Sequence, residues 1–127
     1  MTLQTLTTTQ PQLAANWMHV CSLSDLEVER GRAALVDDAQ VALFLLADGS
    51  VRAVDNHDPY SGANVISRGI VGSRGDRPTI ASPMYKQIFD LRSGTCVETQ
   101  GKEYRRLRVW PVRARDGELY LQRGGAR

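Results

Sequence analysis

The apolar residues of this chain fall in short segments of strand length, separated by residues that favour turns. These segments cover residues 17–21, 32–36, 41–46, 50–54, 107–114 and 118–122. Their lengths, and the alternation of apolar and polar positions in the last two, are typical of β-strands. No segment keeps a helical period over about twelve residues. The pattern therefore predicts an all-β domain.

The links between these segments predict where the strands turn. Asp48-Gly49 and Asp116-Gly117 are dipeptides typical of tight β-hairpins. They suit the type I′ turn, which needs positive φ at both central residues. Residues 24–26 and Asp37-Asp38 are also predicted to be turns. Each hairpin would pair the two segments that it joins.

The length of 127 residues is enough for one domain with its own hydrophobic core. We expect residues 16–123 to form that domain. Residues 1–15 are rich in Thr and Gln and lack both a basic start and a long apolar stretch, so we expect a disordered tail rather than a secretory signal. Residues 124–127 are expected to be a second, short tail.

Within this domain the amino-acid composition and the hydrophobic pattern change along the chain. The predicted strands lie in residues 16–54 and 101–123, which would form the base of the domain. Residues 55–100 are rich in glycine and proline, and their apolar positions are scattered. A loop-rich insertion on a β scaffold is where function usually resides, so the candidate chemistry is sought there.

Cysteine usage and hydropathy bear on the cellular compartment. Cys21 and Cys96 lie far apart, without Cys-x-x-Cys spacing, and ordinary partly buried thiols are favoured over a disulfide or a metal pair. This usage suits a reducing cytoplasm, where we expect the chain to be. The longest apolar runs, such as residues 41–47, have strand length, so no membrane span is expected.

The net charge of +2 hides an uneven distribution of charge along the chain. Residues 1–58 hold 3 basic and 8 acidic side chains, whereas residues 59–127 hold 13 basic and 6 acidic ones. Nearly all of the basic residues are arginines, which suit planar contacts with carboxylates or phosphates. Two explanations of the arginine content remain equally open. One is a solvated surface in a protein whose genome prefers arginine codons, and the other is a role in an interface. Nucleic-acid binding is not expected, because it would need a larger net charge and interleaved exposed aromatic residues.

Two stretches of the loop-rich segment carry the candidate chemistry. They are Asn56-His57-Asp58-Pro59-Tyr60-Ser61-Gly62-Ala63 and Ser82-Pro83-Met84-Tyr85-Lys86-Gln87-Ile88-Phe89-Asp90-Leu91-Arg92-Ser93-Gly94. Together they resemble the two ligand loops of Rieske iron–sulfur domains, which read Cys-Pro-His followed by Gly, then Cys-Pro-x-His with an aromatic-Asp-x-x-x-Gly tail. A Rieske centre needs two thiolates on one iron and two imidazoles on the other. The matching positions here hold Asp58, Tyr60, Ser82 and Tyr85.

These replacements narrow the resemblance further. Residues 55–72 and 81–87 are similar to the small subunits of assimilatory NAD(P)H-dependent nitrite reductase, a bacterial family that is Rieske-like in fold but lacks the cluster. The resemblance implies a Rieske-like antiparallel β-sandwich with an inserted loop-rich subdomain at the degenerate cluster site. It also implies a large catalytic subunit as partner, carrying FAD, a [4Fe–4S] cluster and siroheme. That subunit passes electrons from NAD(P)H to nitrite, giving ammonia in nitrate and nitrite assimilation.

The four residues at the ligand positions are interpreted as structural replacements. Asp58 and Ser82 offer hard oxygen where iron–sulfur ligation requires soft thiolate. Tyr60 and Tyr85 could fill the vacated space and turn a hydroxyl to a loop backbone group. This interpretation is favoured over an oxygen-ligated metal site. His57 is weak evidence for a metal or a general base and is expected to be a surface imidazole. We therefore assign the chain no catalytic, cofactor-binding or metal-binding residue.

A basic surface near the same loops is the candidate partner interface. The resemblance implies docking through the former cluster tip, at residues 57–62, 67–77 and 84–87. Its basic side chains are Arg68, Arg74, Arg77 and Lys86. The glycines at 69, 72 and 75 do not have the spacing of a dinucleotide-binding loop, and a flexible loop is expected there. Docking through a sheet face is the open alternative.

The leading hypothesis is a small, non-redox subunit of a nitrite reductase complex that supports the large subunit and is not catalytic alone. A free-standing electron carrier would require four cluster ligands, and none stands at the matching positions. The remaining alternative is a clusterless Rieske-like interaction module of another oxidoreductase.

Overall fold

The computed structural model describes residues 16–123, which form ten β-strands and two short 3-10 helices. The tails expected at residues 1–15 and 124–127 lie outside the described residues. The strands are β1 Trp17–Ser22, β2 Gly31–Val36, β3 Ala39–Leu45, β4 Val51–Asp55, β5 Ile70–Arg74, β6 Arg77–Ala81, β7 Ile88–Asp90, β8 Cys96–Glu98, β9 Val112–Arg115 and β10 Glu118–Gln122. The 3-10 helices span Leu23–Asp25 and Ile66–Arg68. The all-β prediction is confirmed.

Within these residues the strands form three antiparallel sheets, in the orders β2-β3-β4, β9-β10-β1 and β5-β6-β7-β8. In the first sheet Leu43 lies opposite both Arg32 and Ala53, so β3 is the central strand. In the second, β10 pairs with β1 with a shift of register between Leu119 and Tyr120. This pairing joins the two parts of the chain that the sequence assigns to the base.

The β2-β3-β4 sheet lies between two hydrophobic clusters. Successive side chains of a strand point to opposite faces, and β3 is apolar on both. Ala42 and Phe44 pack in a cluster with residues of the β5-β8 sheet, and Val41 and Leu43 pack in a second cluster with residues of β1 and β10. The continuous apolar run in β3 follows from this double burial, as in other strands covered on both faces.

The two Asp-Gly hairpins turn differently. Asp116 and Gly117 both have positive φ, at 54° and 79°, as the type I′ turn requires. At the other hairpin Gly49 has a φ of 89° but Asp48 does not have positive φ, so the type I′ prediction is wrong there. The loop is one residue longer than the dipeptide suggests, because the Gly49 N–H donates to the Leu46 carbonyl at 2.9 Å. Gly49 then takes the left-handed position that follows the turn.

The predicted strand at 107–114 is shorter in the structure and begins only at Val112. Residues 107–111 cross from the first cluster, which contains Leu107, to the second, which contains Trp110. The backbone N–H of Trp110 donates to the Ala53 carbonyl at 2.9 Å, and Val109 makes a single β-bridge with Val54. Pro111 lacks the N–H that a continuous ladder would need here.

The two cysteines lie in different clusters, Cys96 in the first and Cys21 in the second, and both are buried free thiols, as predicted. Burial raises the pKa of the Cys21 thiol, which keeps it in its less reactive protonated form. Among the described residues no helix is long and apolar enough to span a membrane.

Candidate functional site

Each of the two candidate loops follows the end of a β-strand. The first follows β4, which ends at Asp55, and the second follows β6, which ends at Ala81. Asn56 anchors the first loop because its side-chain oxygen accepts the Ser67 N–H at 2.7 Å and its amide donates to Gln40 at 3.0 Å. The first loop therefore starts from a fixed backbone position.

Three turns in this region share one hydrogen-bond pattern. They begin at Asp58, Ser82 and Asp90. In each, the first residue donates its N–H to the carbonyl five residues on, and its own carbonyl accepts the N–H four residues on. Its side-chain oxygen accepts the N–H two residues on, at 2.9, 3.2 and 2.7 Å respectively. This is the geometry in which short polar side chains of Asp or Ser stabilise a turn.

The fourth residue after the start of each turn has positive φ. Gly62 has a φ of 79° and Gly94 of 78°, whereas the second turn places Lys86 at 65°. A left-handed conformation costs a non-glycine residue roughly 1–2 kcal/mol, so the second loop carries strain that the other two avoid. The shared pattern makes both candidate loops self-supporting through protein hydrogen bonds.

Asp58 and Ser82 join the two loops directly. The Ser82 hydroxyl donates to Oδ2 of Asp58 at 2.6 Å, and the two residues are 1% and 0% exposed. The other carboxylate oxygen accepts the Tyr60 N–H at 2.9 Å. Each polar atom of this buried pair thus has a partner, as buried polar groups require. The pair occupies the positions that match the two thiolate ligands.

Tyr60 is half-buried beside this pair. Its ring packs on the first cluster, with its centroid 6.0 Å from that of Phe89. Its hydroxyl donates to the Glu103 carbonyl and accepts the Arg105 N–H, both at 2.9 Å. The pKa of Tyr60 is raised to about 12, mainly by burial and to a smaller extent by a hydrogen bond with Cys96. Tyr60 thereby ties a third loop, residues 99–105, to the first.

Tyr85 does not fill the site, and that expectation is wrong. Its side chain is 56% exposed, while Gln87 two residues later is fully buried. The reason is spacing: Tyr60 lies two residues after the start of its turn, and Tyr85 lies three residues after Ser82. Because the two turns have the same length, the second tyrosine occupies a later position in its turn, and its side chain lies outside. Sequence reasoning gave Gln87 no role, although it is the residue whose carbonyl closes the second turn.

An open groove of about 700 Å³ runs between these loops. We call it the tip groove. It is lined by Pro59, Tyr60, Tyr85, Gln87, Gln100, Lys102, Glu103 and Arg105. The loop of residues 99–105 is fixed at both ends of the groove, because Gln100 also donates from its side chain to the Lys86 carbonyl at 3.1 Å.

The structure divides the four basic residues of the predicted interface. Arg68 precedes β5 near the Ile70–Ala81 pair, at the end of the sheet from which the second loop leaves. Arg74 and Arg77 form the turn at the opposite end of the same hairpin, about 13 Å away at about 3.3 Å per residue. Lys86 lies in the second loop, so the four side chains do not form one patch.

The donor set does not fit a Rieske cluster. Asp58 and Ser82 present oxygens that are bonded to each other, Tyr60 is committed to two backbone groups, and Tyr85 points outward. Iron–sulfur ligation needs thiolates and, in Rieske centres, imidazoles. His57 is exposed beside the loop. Over residues 16–123, no group of three or more His, Cys, Asp or Glu side chains could hold a metal ion.

The layered sheets and the paired loops define a Rieske-like domain. The family described as "Rieske-like [2Fe-2S] domain" matches residues 16–122, and the chain belongs to that family. Within it, the chain groups with the small subunits of NAD(P)H nitrite reductase.

Two small-subunit relatives support that grouping. The "Nitrite reductase (NADH) small subunit" of Escherichia coli (strain K12) is 33% identical over 109 residues, which cover 85% of this chain and 98% of the relative. A structure of a candidate NADH-dependent nitrite reductase small subunit from Mycobacterium tuberculosis is 44% identical, with a TM-score of 0.76, covering 87% of this chain and 94% of that one.

A third relative is the "Nitrite reductase [NAD(P)H] large subunit" of Klebsiella oxytoca. It is 38% identical over 105 residues, which cover 83% of this chain. The match spans only 11% of the length of that relative. A domain like this one is therefore part of the large-subunit chain in that protein.

Proposed function

We propose that this chain is the small, non-redox subunit of an NAD(P)H nitrite reductase complex, which reduces nitrite to ammonia in nitrate and nitrite assimilation. Its role is to support the large catalytic subunit, and it is not catalytic alone. The observation that carries the proposal is the buried Asp58–Ser82 hydrogen bond of 2.6 Å. It joins the two loops with protein atoms at the positions where a Rieske domain would hold iron.

The chemistry of this pair supports a non-redox role. A Rieske cluster holds its two loops together through metal–ligand bonds, and its iron carries the electron. Here the hydroxyl of Ser82 and the carboxylate of Asp58 bridge the loops, and three matched turns hold their backbone. Neither group can be oxidised or reduced at biological potentials, so the loops keep a structural role without an electron-transfer role.

The large subunit is the proposed partner. In the Klebsiella oxytoca relative, a region 38% identical to this chain lies within a protein described as the large subunit. A domain that is fused to a protein in one organism is a reasonable binding partner of that protein's counterpart in another. The large subunit is proposed to carry FAD, the [4Fe–4S] cluster and siroheme, and to receive electrons from NAD(P)H.

We place the complex in the cytoplasm, away from nucleic acid and membrane surfaces. The buried thiols of Cys21 and Cys96 lie in separate clusters, which suits a reducing compartment. For docking, the basic residues near the loops, Arg68 and Lys86, remain proposed contacts. Arg74 and Arg77 would need a second contact surface at the far end of the β5-β6 hairpin.

Co-purification from the native cell tests the partner. The full chain, carrying an affinity tag, should retain a protein with the absorption spectrum of siroheme. Recovery of a different oxidoreductase instead would favour the interaction-module alternative. In a reconstituted assay, nitrite reduction should depend on the large subunit, and adding this chain should raise its activity or its lifetime.

Metal analysis of the purified full chain tests the non-redox role. We expect less than stoichiometric iron or zinc and no visible absorption band. The chain alone, with dithionite-reduced viologen as electron donor, should not reduce nitrite. Stoichiometric iron with a Rieske-type spectrum would contradict the proposal.

A further inference from the structure

We propose that the tip groove is the docking site for an acidic segment of the nitrite reductase large subunit. This inference rests on the proposed function, and it moves the interface to a surface centred on Tyr85 and Lys102. Three features of the groove support it: an exposed aromatic side chain, loops that are held together by hydrogen bonds, and unbalanced positive charge.

One exposed aromatic side chain lines the groove. In the part of the chain that the structure describes, six large hydrophobic residues are exposed, and Tyr85, which is 56% exposed, is one that lines the groove. Met84 and Tyr104, at 47% and 57%, are neighbours in sequence of groove-lining residues. Tyrosine is enriched at the centre of protein interfaces.

The groove is preorganised by hydrogen bonds between its loops. The Tyr60 hydroxyl bonds to two backbone groups of the loop at residues 99–105, and Gln100 bonds to the Lys86 carbonyl. The exposed rings therefore stand on loops that are already ordered. Ordered loops lower the entropy cost of binding, which favours affinity.

Gln87 also lines the groove, but it is fully buried and supports the groove from beneath. Its Oε1 accepts no hydrogen bond from any described residue, and its amide has only a long contact of 3.5 Å with the Thr99 carbonyl.

The charge of the groove defines the partner. Lys86 and Lys102 make no ion pair with a residue in 16–123, and Arg105 is paired with Glu103 at 2.8 Å. The rim is therefore positive, and it attracts acidic groups. Residues 1–15 and 124–127 contain no Asp or Glu, so these segments do not supply acidic side chains to the groove. The fusion in the Klebsiella oxytoca relative points to the large subunit as the source.

The test measures the affinity of the full chain for the large subunit by titration calorimetry. Lys102→Glu and Tyr85→Ala change exposed side chains of the groove, and we expect each to weaken binding at least about tenfold. The affinity of Lys102→Glu should also depend less steeply on salt. Arg74→Glu is the matched control, because it makes the same charge reversal at the opposite end of the hairpin, and it should bind within about twofold of wild type.

Gln87→Met is a second control, because it changes a buried residue beneath the groove at similar volume. The free chain should melt at the wild-type temperature or above, and its affinity for the large subunit should stay within about twofold of wild type. If both Lys102→Glu and Tyr85→Ala bind as wild type does, the docking face lies elsewhere and the inference is overturned. If wild type does not bind the large subunit at all, the proposed function fails instead. If the chain self-associates and these substitutions abolish that self-association, the groove binds a second copy of the chain. That outcome would also overturn the inference.

Discussion

The hydroxyl of Ser82 lies 2.6 Å from the carboxylate of Asp58, and this buried contact closes the gap between two loops that otherwise belong to separate turns. In a Rieske domain the corresponding gap is bridged by iron. The replacement explains how the framework persists without a cluster. Each loop holds its own backbone through a side-chain-stabilised turn, and one short hydrogen bond holds the loops to each other.

The first prediction concerns this contact. Ser82→Ala leaves one buried oxygen of Asp58 without its donor, and we expect a loss of about 1–3 kcal/mol in the free energy of unfolding. Ser93→Ala is the control, since Ser93 is an exposed serine in the third turn, and its loss should stay below about 0.5 kcal/mol. Urea denaturation of the three proteins measures the difference. Equal midpoints for Ser82→Ala and wild type would show that the contact contributes no stability.

The second prediction separates the two tyrosines. Tyr60 packs on Phe89 and on the first cluster, so Tyr60→Ala should cost about 2–4 kcal/mol. Tyr85 is 56% exposed, so Tyr85→Ala should change stability by less than about 0.5 kcal/mol. The sequence alone predicts a similar large cost for both. Thermal or denaturant melts decide, and a large cost for Tyr85→Ala would restore that original interpretation.

The sequence predicts the base of the fold because its strands are long enough to show their pattern. The segment 41–46 is apolar throughout, and the structure shows that both of its faces are covered. By contrast, β7 and β8 have three residues each, which is too short for alternation to be read. Their existence depends on the pairing of β7 with β6 and of β8 with β7, which is a tertiary property.

The sequence also locates the candidate site but not the direction of its side chains. The motif identifies Asp58 and Ser82, yet Tyr60 and Tyr85 occupy different positions in two turns of the same length. Gln87 is buried only because the turn returns its side chain to the interior. The basic residues could not be grouped correctly, because the register of the β5-β6 hairpin decides which end each one occupies.

The third prediction uses the raised pKa of Tyr60. The folded protein holds this pKa at about 12, against an ordinary value of 10. Above pH 10 the unfolded chain loses the proton first, so the stability from this group is complete below pH 10 and is lost as pH rises through 12. The free energy of unfolding of wild type should therefore fall more steeply between pH 10 and pH 12 than that of Tyr60→Phe, which cannot ionise at this position.

The other tyrosines are present in both proteins and cancel in this comparison. At neutral pH Tyr60→Phe should itself be less stable by roughly 1–3 kcal/mol, because the Glu103 carbonyl and the Arg105 N–H lose their shared partner. Parallel stability curves across the alkaline range would mean that the hydroxyl titrates equally in both states.

The fourth prediction compares two glycines that share a backbone conformation but not a packing environment. Gly62 and Gly94 have φ values of 79° and 78°, at equivalent positions of the first and third turns. A Cβ added at Gly62 meets no atom within 4 Å, whereas one added at Gly94 comes 2.1 Å from the Leu107 carbonyl oxygen. Gly62→Ala should therefore cost only the left-handed strain, about 1–2 kcal/mol.

Gly94→Ala carries the same strain and a backbone clash in addition. The Leu107 N–H donates to the Gly94 carbonyl at 2.9 Å, so relief of the clash would break the contact that leads the chain from the third turn into the segment at 107–111. We expect a loss larger than that of Gly62→Ala by at least about 2 kcal/mol, with reduced yield of folded protein. Denaturant melts of both variants test it. Equal losses would mean that the two turns relax in the same way and that the close approach to Leu107 is not needed for the fold.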